Sequence, residues 1–192
     1  LEHFLQWLES QPRDVPKFVV SSSVFVPNPL FEALNPEIGL MDDTRVPNPP
    51  HYDDDDETLL YRANMVARED SDCWAGFPNT RLAILKTIVE KKIQNVVFLC
   101  GDIHLPCIAA MKFQGTAAAK KLKAFSITSS PFYWNLPDSE PNSFVQDSEV
   151  DIDPFPIVGT PCTMHYKAFG FASRTDNFAR IDLNKASHTL TV

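Results

Sequence analysis

The chain has 192 residues, 44% of them hydrophobic and 11% aromatic, an ordinary globular composition that excludes a wholly disordered chain, a coiled coil and a collagen-like repeat. Its net charge of −8 argues against a nucleic-acid-binding surface, and no apolar run approaches the ~20 residues of a membrane span. The charge is local, because Glu37 to Asp72 holds eleven acids and three bases, a difference of eight that accounts for the whole imbalance.

Leu1 to Ser10 reads as a short helix with Phe4, Leu5, Trp7 and Leu8 as its apolar stripe, ended by Pro12. Lys17 to Phe25 is β-branched and aromatic and reads as a strand. Pro27, Pro29 and Pro36 then forbid regular structure, and an acidic loop is expected from about 27 to 72. Its Asp53–Glu57 run lacks EF-hand spacing and reads as solvated surface. Arg81 to Lys92 is the clearest helix, with Asn79 or Thr80 as its cap, Leu82, Leu85, Ile88 and Val89 on one face, and cations in its last turn.

Gln94 to Cys100 is a short, nearly all-apolar run after that helix, the pattern of a strand buried on both faces in an α/β or layered sheet. Further strands are expected at 108–113, 122–128, 165–173, 178–183 and 188–192, with Asn184 to Ser187 as the turn of a final hairpin. The stretch from 131 to 161 is rich in Pro and Asp and reads as a second long surface loop. The four cysteines form no CxxC pair, so neither a zinc knuckle nor a thioredoxin motif is present. No secretory leader is visible, and the first residue is Leu rather than Met, which reads as a piece of something longer or a processed product.

The sharpest chemical signal is Gly101-Asp-Ile-His-Leu-Pro106, directly after the buried strand. Sites in open α/β sheets gather where strands end at their carboxyl side. Asp102 and His104 are two apart, so in extended backbone their side chains leave on the same side. A carboxylate and an imidazole so placed suit a pair of metal ligands or an acid–base pair, and a capping Asp with a core His is the plainer alternative. The second signal is Asp72-Cys-Trp-Ala-Gly-Phe-Pro-Asn-Thr-Arg81, just before the helix, which can bring a carboxylate beside the next strand's end. Arg81 is a candidate anion contact, and His165, ahead of a late strand, is a candidate phosphate contact.

Taken in order, Asp-x-Trp-x-Gly-aromatic-Pro-x-x-Arg, helix, buried strand and Gly-Asp-x-His resemble the alkaline phosphatase D (PhoD-like) family of the calcineurin-like metallophosphoesterase superfamily. Leu5-Gln-Trp-Leu8 with Lys17 to Ser23, Asn95 to His104, Phe125 to Ser130 and the stretch from Gly170 to Val192 are similar to that family's successive segments. The resemblance implies an α/β, layered α+β fold: a metallophosphatase-type two-layer β-sandwich flanked by helices, with residues 1–192 as its C-terminal half. It also implies a site of two or three metal ions, with Asp102, His104 and Asp72 as ligands and no catalytic residue beyond them. The metals, drawn from Fe, Ca, Zn or Mn, would activate a water for attack on a phosphate mono- or diester.

Two positions depart from the family pattern, Ala75 for an acid and Phe77 for a Tyr, and the superfamily's first-half ligand motifs have no counterpart in this chain. The competing reading is therefore a non-catalytic fragment or degenerate relative that binds a metal or a partner. Residues upstream of Leu1 that carried those motifs would decide for the enzyme.

Overall fold

The computed structural model describes residues 1–13, 15–27, 74, 77–101, 106–129, 147–148, 155–169, 178–184, 186 and 189–192. Among the described residues two α-helices, α1 (Glu2–Ser10) and α2 (Pro78–Glu90), and a 3-10 turn at Ala119–Lys121 accompany eight strands. These are β1 (Lys17–Val20), β2 (Val96–Cys100), β3 (Cys107–Gln114), β4 (Ala124–Thr128), β5 (Phe155–Pro156), β6 (Thr163–Phe169), β7 (Asp182–Asn184) and β8 (Thr189–Thr191). The first six form one mixed sheet in the order β1-β2-β4-β3-β6-β5. β1, β2 and β4 run parallel, whereas β3 is antiparallel to β4 and to β6, and β5 to β6. β7 and β8 pair as the expected closing hairpin, with Ala186 N–H donating to Asn184 Oδ1 at 2.9 Å in its turn.

The two helices cover one face of the large sheet. Leu8 of α1 and Ile84, Leu85 and Ile88 of α2 share a core with Phe98, Met111, Phe113 and Tyr166. Successive strand residues alternate faces, so the set in register with Phe98 looks at the helices and the next set looks away. On the far face Val20, Leu99, Ile127, Ile108 and Phe169 stand in one cross-strand row. Its ends are open to solvent, with Val20 81% and Phe169 52% exposed. Among the described residues no helix is long and apolar enough to cross a membrane.

β2 has the expected burial on both faces, with Val96, Val97, Phe98 and Cys100 buried. Several boundaries differ from the sequence reading. β1 stops at Val20 rather than Phe25, because the Ser21 hydroxyl donates to Ser23 O at 2.8 Å and accepts Ser23 N–H at 3.2 Å, turning the chain out of the sheet. α2 begins at Pro78 after Phe77, with no side-chain cap from Asn79 or Thr80; proline at the first position supplies the preset φ instead.

α2 ends at Glu90, so Lys91 and Lys92 lie past its last turn. Ile93 N–H reaches back to Ile88 O at 2.9 Å while Lys92 takes φ +55°, a Schellman-type exit that buries Ile93. On α1 the stripe is narrower than expected: Leu8 is fully buried and Trp7 is exposed. The stretch 131–161 is not wholly irregular, since it contains β5 and the pairing of Asp147 with Lys167 beside β6. The acidic loop expected beyond Pro27, its Asp53–Glu57 run included, lies outside the described residues.

Candidate functional site at the carboxyl rim of the sheet

The parallel strands β1, β2 and β4 end together at one rim. Their alignment is carried past the strand ends by Ser21 N–H donating to Leu99 O at 2.9 Å and Ser129 N–H donating to Cys100 O at 3.1 Å. β3 starts at the same rim. Thr128, the last residue of β4, pairs with Cys100 of β2 on one side and Cys107 of β3 on the other. The two stems, Gly101 after β2 and Pro106 before β3, therefore belong to strands on opposite sides of β4. Two strand spacings, about 10 Å, separate the two stems. Asp102 and His104 lie outside the described residues, but Gly101 and Pro106, which bracket them, are both described.

Among the described residues ahead of α2, Trp74 is fastened to this rim. Trp74 N–H donates to Val24 O at 3.1 Å, and its indole Nε1 donates to Ser21 Oγ at 2.9 Å. Its ring leans on Phe25, with centroids 5.4 Å apart, and Phe25 stacks flat on Phe98 of β2 at 3.8 Å. Gly101 packs beside the same turn, where a Cβ would meet Ser22 O at 3.9 Å. Trp74 and Gly101, the described neighbours of the two motifs, thus converge on Ser21 and Ser22. Asp72 and Ala75 lie outside the described residues; Phe77 is half exposed at the start of α2.

The other two candidates are not brought to this rim as open groups. Arg81, in the first turn of α2, is only 1% exposed, and its guanidinium lies 5.0 Å from the Phe155 ring centroid and 5.7 Å from that of Phe25. His165 lies inside β6 rather than ahead of it, because the strand begins earlier, at Thr163. It pairs with Lys112, four residues along β6 from Phe169 at the rim, about 13 Å away. It is buried, with Nε2 3.4 Å from Thr163 Oγ1.

Burial dominates the thiols under the rim. It pushes Cys107 up to about 12, against a smaller opposing pull from the neighbouring Thr128 side chain, and it raises Cys100 against hydrogen bonds from the Phe25 backbone and Ser126. Ser21 and Phe155 were not legible as site-supporting residues. Ser21 sat in an apparent strand, and Phe155 in a Pro- and Asp-rich stretch with no periodic signal.

Among the described residues no group of three or more His, Cys, Asp or Glu is placed to hold a metal ion; Asp72, Asp102 and His104 are not among those residues. Comparison with curated proteins and with solved structures returns no match. The family model for PhoD-like phosphatase matches residues 38–153, a span that includes both motifs, helix α2 and the strand between them. With more than half of its length matched, the chain belongs to the PhoD-like phosphatase family, within the calcineurin-like metallophosphoesterases, and shares that family's phosphoesterase type of function.

Proposed function

We propose that this chain supplies part of the metal site of a phosphate-ester hydrolase, with Asp102, His104 and Asp72 as its ligands and a phosphate mono- or diester as substrate. The observation that carries the reading is the convergence of Trp74 and Gly101 on the Ser21–Ser22 turn at the carboxyl rim. One described residue of each motif thus reaches the same turn, which supports reading the two motifs as parts of one site.

The donor set fits metals of the expected kind. Two carboxylates and an imidazole are hard to borderline donors, suited to Fe, Zn, Mn or, through the carboxylates, Ca. The nearby Cys100 and Cys107 are buried, with their thiol pKa values raised by that burial. When bound, the metals supply Lewis acidity toward phosphate oxygens and a water of lowered pKa. The chain's own part is to hold its ligands on stems fixed by β2, β3 and β4, with Trp74 setting the approach of the segment before α2.

The remaining ligands and a second sheet come, on this reading, from an upstream half of the same domain. The apolar row from Val20 to Phe169 supports it, because among the described residues no helix packs on that face and the row's two ends, Val20 and Phe169, are exposed. The two layers would make the β-sandwich that the resemblance implies.

The test is substitution of Asp102→Asn and His104→Ala in the full-length protein. Each is expected to lower metal content and phosphatase activity sharply while thermal unfolding stays cooperative. Full metal content and full turnover in either variant would make that residue structural. Metal bound at full stoichiometry by the unsubstituted protein without turnover of either ester class would favour the binding-module alternative.

A further inference from the structure

We propose that Arg81 is a positioning residue: its buried guanidinium, held between Phe155 and Phe25, fixes the Phe25 ring against which Trp74 docks at the rim. The inference rests on the proposed metal site and deepens it by removing Arg81 from the list of groups that meet the substrate phosphate.

Three observations lead there. Arg81 is 1% exposed, and a phosphate contact needs a cation that an anion can reach. The guanidinium lies within cation–π range of two rings, 5.0 Å from Phe155 and 5.7 Å from Phe25, a contact that strengthens when it is shielded from water. Phe25 in turn is the common neighbour of three elements: it stacks on Phe98 of β2 at 3.8 Å, tilts against Trp74 at 5.4 Å, and receives Arg81 from α2.

Trp74 is then tied to the rim by its own hydrogen bonds to Ser21 and Val24. A planar, weakly hydrated guanidinium suits this slot. A lysine ammonium, compact and strongly hydrated, does not stack in the same way.

The experiment measures metal affinity by chelator competition with Mn²⁺ or Zn²⁺, and inhibition by inorganic phosphate at saturating metal, in the full-length protein. Arg81→Met and Arg81→Lys are each expected to weaken metal binding about tenfold, the range found when a residue supporting a metal ligand is lost. Their phosphate inhibition is expected to stay within about twofold once metal is saturating.

Phe25→Leu should give a similar loss, and the double variant Arg81→Met/Phe25→Leu no more than either alone, because both act through one ring. Ile88→Val, a core change on the same helix, should lower stability without moving metal affinity. Ser21→Ala removes the acceptor of Trp74 Nε1 and probes the same path if Arg81→Met does not fold.

Unchanged metal affinity with phosphate inhibition weakened about tenfold or more would overturn the proposal and make Arg81 a substrate contact. Additive effects of Arg81→Met and Phe25→Leu would also overturn it. Asp72→Asn separates the two levels. If it leaves metal affinity intact, the ligand reading falls and this proposal with it; if it weakens metal while Arg81→Met and Ser21→Ala do not, this proposal alone falls.

Discussion

Cys100 and Cys107 stand on opposite sides of Thr128, each in register with it and two strand spacings from the other. A separation of about 10 Å between their backbones exceeds the ~4.4–6.8 Å that a disulfide spans, and β4 lies between them. Both thiols are buried and raised, Cys107 to about 12. We expect neither to react with a thiol reagent in the native protein, both to react in denaturant, and mild oxidant to form no bridge between them.

The sign of the pH effect follows from linkage. The folded state holds the Cys107 proton above pH 9.0, where the unfolded chain releases it, so the stability present below that pH is lost as pH rises toward about 12. The slope from one proton is at most about 1.4 kcal/mol per pH unit. Urea melts between pH 8 and 11 of the unsubstituted protein and Cys107→Ala test this; an equal slope in both would remove Cys107 as the cause.

Val97 is 2% exposed and lies between Phe18 of β1 and Phe125 of β4. Val97→Asp places a carboxylate there without a partner, at a cost on the order of several kcal/mol, enough to remove the stability of an ordinary domain. The variant is expected to be insoluble or to lack a cooperative unfolding transition. A soluble V97D protein with a sharp transition would show that this face tolerates charge.

Backbone sign decides three further substitutions. Gly115 has φ +104°, and a Cβ there would run into the backbone carbonyl of Pro161, so Gly115→Ala should cost about 2 kcal/mol or more. Gly159 has φ +84° but meets only the flexible end of Lys86, at 3.1 Å from Nζ, so Gly159→Ala should cost less, about 1 kcal/mol. Lys92 occupies the left-handed position after α2 that favours glycine, and Lys92→Gly should stabilise by about 0.5–1 kcal/mol. Thermal melts of the three rank these effects; a stabilising Gly115→Ala would be incompatible with the contact at Pro161.

The elements that were legible in the sequence are those whose pattern is set by burial alone. The run from Val96 to Leu99 is apolar without alternation because β2 lies inside the sheet between β1 and β4, and Gly101 marks where it leaves. The unreadable parts depend on side chains bonding to other elements. Ser21 looks like a strand residue until its hydroxyl engages Ser23 and Trp74.

Arg81 reads in the sequence as a candidate anion contact, and nothing there shows that Phe155, from beyond a Pro-rich stretch, packs against its guanidinium. β5 is two residues long, one of them Pro156, and carries no periodicity to read. Both motifs were visible as short patterns, but the docking of Trp74 at the rim depends on Ser21 accepting from its indole.

The last prediction concerns residues 1–192 on their own. On the proposed reading Asp72, Asp102 and His104 would supply at most three ligands, whereas two metals held ~3.5–4 Å apart need bridging as well as terminal groups. An ion held by so small a set should bind weakly and exchange quickly. The same chain exposes Val20, Phe18 and Phe169 along one face of its sheet, an apolar surface of the kind that drives association. The isolated chain is therefore expected to self-associate, and Val20→Lys with Phe169→Lys to shift it toward monomer in sedimentation.

On the proposed reading it is also expected to show no chelator-sensitive hydrolysis of phosphate mono- or diesters, with activity returning when the proposed upstream half is supplied. Robust metal-dependent turnover by the purified 192-residue chain, monomeric without those substitutions, would mean that these residues hold a complete site. The Asp53–Glu57 run would then be the first place to look for the additional carboxylates.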